Sequence, residues 1–420
     1  MYCGSCMHDN TLARALTKQG WDVQLVPTYT PIRTDEADVS VDQLFFGGIN
    51  IYLQQKVPLL RHVPALMDRF LDRPWLIRKV TSRAMEMDTR TLGKLTQSML
   101  KGMQGNQRKE VVRLCRWLAT EPRPDLIVFS NMLIGGCIPE IKKQLGIPVL
   151  VTLQGDDVFL DSLPEPYRAN CIASMKQLSQ QVDGFLVHTE FFKSYMADYF
   201  EIDSSRIHVT PLGIDIGDFR ELTRAPTERT HFNLGYLARL SPEKGLHHLV
   251  DAFIELRKND RYRHVKLKLA GWLGPQNKAF VDQQFQKLVA AGLEDDFVYL
   301  GSLDRHDKVE FLASLDLFSV PTDFLEPKGL YALEAMAAGL PIIQPDHGSF
   351  PELISASSGG VLFEPGNQTD FVNRIVELIQ NDLRCQEISA GGRQFVLENR
   401  NMESMSISTA NVFKKFLESD

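Results

Sequence analysis

The sequence predicts an α/β protein made of two doubly wound parallel sheets in series. Three observations carry that expectation. Short apolar strands alternate with helices from Asp125 to Val209, and alternation of that length builds a parallel sheet with helices on both faces. A polar linker, roughly residues 219 to 230, ends this run, and a second alternation starts at Phe232. The 420 residues also exceed what one ordinary core accommodates. In such sheets ligands sit beyond the C-terminal ends of the strands, where the strand order switches.

From the N-terminus, His8 to Gly20 reads as a helix stopped by glycine, and Asp22 to Pro27 as a strand. Thr28 to Gly48 is a turn-rich connection. Residues 56–83 differ in kind. Lys56, Arg61, Arg69, Arg73, Arg78, Lys79 and Arg83 stand against Asp68 and Asp72, interleaved with Leu, Phe, Trp and Ile. Such a segment fits a basic helix lying on an anionic membrane surface. It also fits a helical subdomain with its basic side in water, which is the preferred reading. A long helical run then ends near Trp117, and Pro122-Arg123-Pro124 breaks the chain. Strands are expected at 125–130, 147–153, 184–188 and 206–209, with helices at 133–145, 165–180 and 191–200 between them.

The second half continues with strands at 232–237, 265–270, 297–300 and 316–320. Helices are expected at 245–258, 277–291 and 308–313. Two more helices and a final one near 402–417 close the chain. Between 316–320 and those helices lies EPKGLYALEAMAAGLPIIQP, Glu326 to Pro345. From Gly329 to Pro345 it carries one charge, Glu334, in a run of Leu, Ala, Met and Ile. Leu330, Leu333 and Ala337 recur at helical spacing, so the run predicts a buried helix ended by Gly339, then a short interior strand. A lone carboxylate there is costly unless something fixed hydrogen-bonds it. Glu326, eight residues earlier and separated by Pro327 and Gly329, belongs to the preceding loop. The positive end of the helix lies between the two acids, a place that binds phosphate readily. The other reading is that Glu326 favours the helix dipole and Glu334 caps a neighbouring loop. A second loop, GYLARLSPEKG, carries Arg239 and Lys244 between an apolar strand and a helix. A planar fork and a point charge are the usual pair for a diphosphate.

Composition excludes several classes. Apolar residues at 44% and charged residues at 24% are ordinary for a globular protein, and a net charge of -7 argues against a general nucleic-acid binder. No apolar run approaches the roughly 18 residues of a transmembrane helix. Met1-Tyr2-Cys3-Gly4 has neither region of a secretory signal. A cytoplasmic protein is expected, with 56–83 as the one candidate for peripheral contact at the inner membrane face. Of the six cysteines only Cys3 and Cys6 have a suggestive spacing. They neither follow a strand nor meet a second ligand pair, so they are expected as reduced loop thiols.

Together, GYLARLSPEKG, LKLAGW, FVYLGSL, LDLFSVPTDFLEPKGLYALEAMAAGLPII and GGVLFEPGN resemble the retaining glycosyltransferases of family four. The resemblance implies the GT-B fold, two Rossmann-like domains facing across a cleft. The acceptor-side domain would span 1–218, with a C-terminal helix of about 402–420 packing back on it, and the nucleotide-sugar domain 219–401. By resemblance, Glu326 contacts the donor sugar's hydroxyls and Glu334 the ribose. Gly329 and Leu330 lie near the donor, and Arg239 and Lys244 hold its diphosphate. The catalytic set is then Glu326, Arg239 and Lys244.

Two departures stand out. Lys328 occupies a position often aromatic in the family, and Gln154 stands where relatives often carry His, so acid–base chemistry at 154 is in doubt. Gln154, Asp156, Asp157 and Gly4 are assigned to the acceptor side. Asp156, Asp157 and Asp161 suggest a metal-diphosphate cluster, but the fold binds its diphosphate without one. No metal or cofactor is expected beyond the nucleotide sugar as substrate.

The implied reaction moves a sugar from a nucleotide-diphosphate sugar to a hydroxyl of a carbohydrate or lipid-linked acceptor, with anomeric configuration retained. The rivals are a nucleotide-sugar epimerase of the same architecture and a non-catalytic sugar-nucleotide-binding protein. Relatives also open with an apolar strand feeding a glycine loop. Met1 to Cys6 resembles that loop and no strand precedes it, so roughly ten further residues are expected upstream of Met1.

Overall fold

The structure is a computed structural model that describes residues 4–56, 89–120, 123–222 and 231–418, with only the backbone at 49, 53 and 56. The basic segment and Cys3 therefore lie outside the described residues, apart from the backbone of Lys56. The chain forms two compact units, one of residues 2–211 with 406–420 and one of residues 212–405. No described helix is long and apolar enough to cross a membrane.

The N-terminal unit contains α1 (Gly4–Lys18), α2 (Gly48–Lys56), α3 (Thr89–Leu100) and α4 (Arg108–Ala119). Then follow β1 (Ile127–Phe129), α5 (Ile138–Leu145), β2 (Val149–Thr152), α6 (Asp156–Asp161), α7 (Tyr167–Ser179), β3 (Gly184–Val187), α8 (Glu190–Phe200) and β4 (Ile207–Val209). The four strands are parallel and stand in chain order. Side chains alternate across the sheet as strand geometry requires. Val149, Val151, Phe185 and Val187 enter the larger core. Leu150 and Leu186 face the other way, onto Leu16 of α1 and Ala410, Val412 and Phe413 of the C-terminal helix, Met402–Leu417.

Several expectations are corrected here. The first helix starts at Gly4, because its buried side reaches back to Met7 and His8; Gly4 and Cys6 are thus helical rather than in a loop. The expected strand from Asp22 to Pro27 is reduced to isolated bridges, Leu25 with Ser40 and Thr28 with Phe45; Pro27 has no N–H for a regular ladder. The long helical run is two helices, α3 and α4. They part around Gly102, where φ is +53° and a Cβ would stand 1.9 Å from the Gly136 carbonyl oxygen, so no side chain fits. That close approach also makes Met132–Cys137 a 3₁₀ turn, so the α-helix expected from Leu133 begins only at Ile138. Helices α2 and α6 were not anticipated.

The C-terminal unit runs α9 (Gly217–Arg220), β5 (Phe232–Leu237), α10 (Leu246–Arg257), β6 (Val265–Ala270), α11 (Lys278–Ala290), β7 (Phe297–Tyr299), α12 (Arg305–Ala313) and β8 (Leu317–Ser319). It continues with α13 (Leu330–Ala337), β9 (Ile342–Pro345), α14 (Phe350–Ser357), β10 (Gly360–Phe363), α15 (Gln368–Ile379) and α16 (Asp382–Asn399). The sequence predicts two helices between β9 and the C-terminal helix. There are three, and the GGVLF segment is a sixth strand. All six strands are parallel, in the order β10-β9-β8-β5-β6-β7. Strand β5, the first of this unit, is central, and the order reverses between β5 and β8. The loops leaving those two strands open the crevice in which such sheets bind ligands.

Candidate active site

The loop after β5 is set by backbone contacts before any ligand is considered. Tyr236, fully buried, donates its hydroxyl to the Arg239 carbonyl at 3.0 Å. Gly245 turns the chain with φ +71°, and a Cβ there would stand 1.6 Å from the carbonyl oxygen of Pro321, so only glycine fits. Arg239 pairs with Glu243 through Nη2, while its buried Nε has no hydrogen-bond partner among the described residues. The buried Ser241 hydroxyl is likewise without one. The loop thus presents donors that the protein itself does not satisfy.

From the loop after β8, Glu326 enters with 4% of its surface exposed. Its Oε2 accepts from Lys244 Nζ at 2.7 Å and from the Tyr331 hydroxyl at 3.1 Å, and its Oε1 from the Gly329 N–H at 3.3 Å. Burial alone would raise its pKa. The charge and hydrogen bond of Lys244, the Gly329 N–H and the Lys328 charge outweigh that and hold it below the usual carboxylate range. Lys244 in turn lies 4.5 Å from the Phe324 ring centre and 5.0 Å from that of Tyr331. The stem and charge of this lysine are therefore aimed by two aromatic faces and one carboxylate. Behind Glu326, Ser349 N–H bonds its carbonyl at 2.8 Å.

Leu330 opens α13 and Gly329 precedes it; the Ala332 and Leu333 N–H groups bond the Gly329 carbonyl, which leaves those of Leu330 and Tyr331 without an intrahelical acceptor among the described residues. Glu334 points from the same helix, 5% exposed, and its Oε1 accepts from Lys308 Nζ at 2.5 Å. Lys308 is itself 6% exposed. Sequence reasoning missed Lys308, Tyr331 and Phe324. The signal for the first was present: Lys308 shares the apolar side of α12 with Phe311 and Leu312.

The structure thus gathers Arg239, Lys244, Glu326, Gly329, Leu330 and Glu334 in one unit, around the reversal of strand order. The acceptor-side candidates lie in the other. Gln154, just past β2, donates to the Ser130 carbonyl at 3.0 Å. Ser130, past β1, donates its hydroxyl to Asp9 at 2.5 Å, and Asp9 contacts the buried His8 at 2.8 Å. His8 meets His188, past β3, edge to face at 4.5 Å. None of these partners was foreseen.

Asp156 and Asp157 occupy the first turn of α6 rather than a loop. Asp156 accepts from the Met132 N–H at 2.7 Å, and burial pushes it up to about 7 despite the backbone hydrogen bonds. Burial also raises Asp157, to about 6; its Oδ1 is buried with no partner among the described residues. Asp161 pairs instead with Arg168 and Tyr199. Gly4 opens α1.

Comparison with known proteins gives the family. Residues 220–395 match the family described as Glycosyl transferases group 1, and residues 101–218 match Glycosyltransferase Family 4. The chain belongs to the family-four glycosyltransferases. Among relatives, a D-inositol 3-phosphate glycosyltransferase of Stackebrandtia nassauensis is 25% identical over 55% of this chain and 53% of its own length. A mannosyltransferase of Mycolicibacterium hassiacum, named MMP alpha-(1->4)-mannosyltransferase, is 25% identical over 72% and 74%. The chain spans about half the length of the first relatives it matches.

Among solved structures, sucrose-phosphate synthase of Thermosynechococcus elongatus has a TM-score of 0.69 at 18% identity, covering 97% of this chain and 92% of that one. Anabaena HepE in complex with UDP has 0.66 at 17%, covering 94% and 100%. This likeness shows the GT-B fold.

Proposed function

We propose that the chain transfers a sugar from a nucleotide-diphosphate sugar to an acceptor hydroxyl with retention of anomeric configuration. The observation that carries this reading is the Lys244–Glu326 pair, beside Arg239, where the strand order reverses. A bound diphosphate would meet Arg239, Lys244 and the first turn of α13, all present before the reaction begins. Preorganised positive groups of this kind stabilise charge developing on a leaving phosphate. Glu326, ionised and fixed by three donors, is suited to accept from sugar hydroxyls, and Glu334 from the ribose. The anomeric carbon's bond to the acceptor oxygen forms as its bond to the phosphate oxygen breaks. Among the described residues no compelling nucleophile stands beside Glu326, which favours attack on the face of the departing phosphate, with that phosphate taking the acceptor proton.

Because two cations serve the diphosphate, neither a metal nor a cofactor is required for transfer. The UDP-glucose complex of HepE supports a nucleotide-sugar donor, and the relatives' names support sugar transfer. A carbohydrate acceptor on the side of Gln154, Asp156 and Asp157 is the broader form of the proposal. A lipid-linked acceptor reached through residues 56–83 is the narrower one; salt-sensitive sedimentation with anionic vesicles would test it.

The test is a thermal-shift screen of UDP-, GDP- and ADP-sugars, followed by transfer from the labelled donor that binds. Binding plus a labelled acceptor supports the proposal. Conversion of donor alone to its epimer, or binding with no transfer to any acceptor extract, overturns it in favour of one of the rivals.

A further inference from the structure

On the loop that carries Glu326, three other side chains converge. His247 and His248 are the second and third residues of α10, and Asp323 follows β8. Neighbouring helical side chains ordinarily diverge by about 100°. Here the two imidazole centres lie 3.9 Å apart, and both rings present Nε2 to the same carboxylate. His248 Nε2 stands 2.6 Å from Asp323 Oδ1, and His247 Nε2 3.6 Å from Oδ2. One ligand atom from each residue lies within 4.8 Å of the others.

We infer that His247, His248 and Asp323 form a binding site for one divalent transition-metal ion of the zinc class. Ligand atoms at 2.0–2.1 Å from a tetrahedral ion stand about 3.3 Å apart, and the observed separations bracket that value. Two imidazoles with one carboxylate suit zinc-like ions, whereas magnesium and calcium take oxygen-rich sets. Binding replaces the His248–Asp323 hydrogen bond and releases its proton to solvent. All three side chains are partly exposed, so an ion can enter from solvent. The frame is fixed from both sides: Asp323 N–H bonds the Glu243 carbonyl at 3.1 Å, and Gly245 abuts Pro321. An ion held here would clamp the start of α10 to the loop after β8, three residues beyond Lys244 and three before Glu326. It would not touch the diphosphate, so transfer should not require it.

The experiment strips the full chain with chelator, removes the chelator, and titrates zinc by calorimetry and cobalt by visible absorption. One zinc per chain should bind, the cobalt spectrum should lack a thiolate band, and equimolar magnesium should not compete. His248→Ala and Asp323→Asn should each weaken zinc binding by roughly 10–100-fold, at least what loss of an outer-shell partner costs. Zinc should raise the melting temperature of the parent and not of the variants. His248→Asn serves as a milder second variant if alanine lowers the metal-free melting temperature. Absent saturable binding, unchanged affinity in the variants, a thiolate band or equal magnesium binding would each overturn the assignment.

Discussion

Both units place buried carboxyl groups just past the C-terminal ends of parallel strands. In the C-terminal unit Glu326 and Glu334 meet Lys244 and Lys308, while in the N-terminal unit Asp156 and Asp157 meet backbone N–H groups and, for Asp157, the Tyr195 hydroxyl. The difference decides their charge. Paired with a cation, Glu326 stays ionised below the usual range despite being buried. Without one, Asp156 and Asp157 rise to about 7 and about 6, so they change charge near neutrality. One unit holds fixed charge of both signs, as anion binding needs; the other holds groups that can take or give up a proton.

The largest test of this contrast is Lys308→Ala. It strips Glu334 of its cation in a buried setting, and breaking such a pair costs about 3–5 kcal/mol. Urea unfolding would measure it, and a loss below about 1 kcal/mol, the range of an exposed pair, would break the contrast. Glu334→Gln should also destabilise, since it removes the carboxylate of buried Lys308, so activity lost in that variant must be read against its stability.

Next come Lys244→Ala and Arg239→Ala. Each should lower kcat by roughly 10²-fold or more, as loss of one transition-state charge partner does. Near-normal turnover in both would mean the diphosphate sits elsewhere.

Asp156→Asn tests the other side. The folded pKa of Asp156 is raised from 3.8 to about 7, so the fold favours the protonated carboxyl. That stability is fully present below about pH 4 and is lost as pH rises through 7. The asparagine variant keeps an acceptor for Met132 N–H and does not titrate. Its melting temperature should therefore fall less than the parent's between pH 4 and 8. Parallel profiles would show that Asp156 is already ionised in the fold. The smallest expected effect is none: if Arg239 and Lys244 supply the charge as proposed, excess chelator should leave transfer intact.

In the C-terminal unit most strands and helices were legible to within a few residues, because compact apolar strands alternate with helices between polar turns, although β10 and one helix were missed. Val265–Ala270 and Phe232–Leu237 were read with correct bounds. Glu326, Glu334, Arg239 and Lys244 stood out as charges beside apolar runs. What faces them did not, since Lys308 comes from another helix and no spacing links the two. The N-terminal unit was harder. Its helix breaks at Gly102 and Gly136 arise from backbone contacts between segments distant in sequence. Asp22 to Pro27 has the composition of a strand, but isolated bridges replace the ladder.

The C-terminal helix has a consequence for how this chain is made. Leu150 and Leu186 are covered by Ala410, Val412 and Phe413, and Gly184 is open to the Phe416 ring, since a Cβ there would stand 2.5 Å from it. On the ribosome those covering residues emerge only after all of 212–405. At roughly 5–20 residues per second, one face of the first sheet waits tens of seconds for its lid of side chains, while residues 212–405 already hold everything their own core requires. The part synthesised second is thus free to finish first, and the part synthesised first carries an exposed apolar strip in the meantime. Chaperone dependence and sensitivity to C-terminal truncation should therefore concentrate in the N-terminal unit.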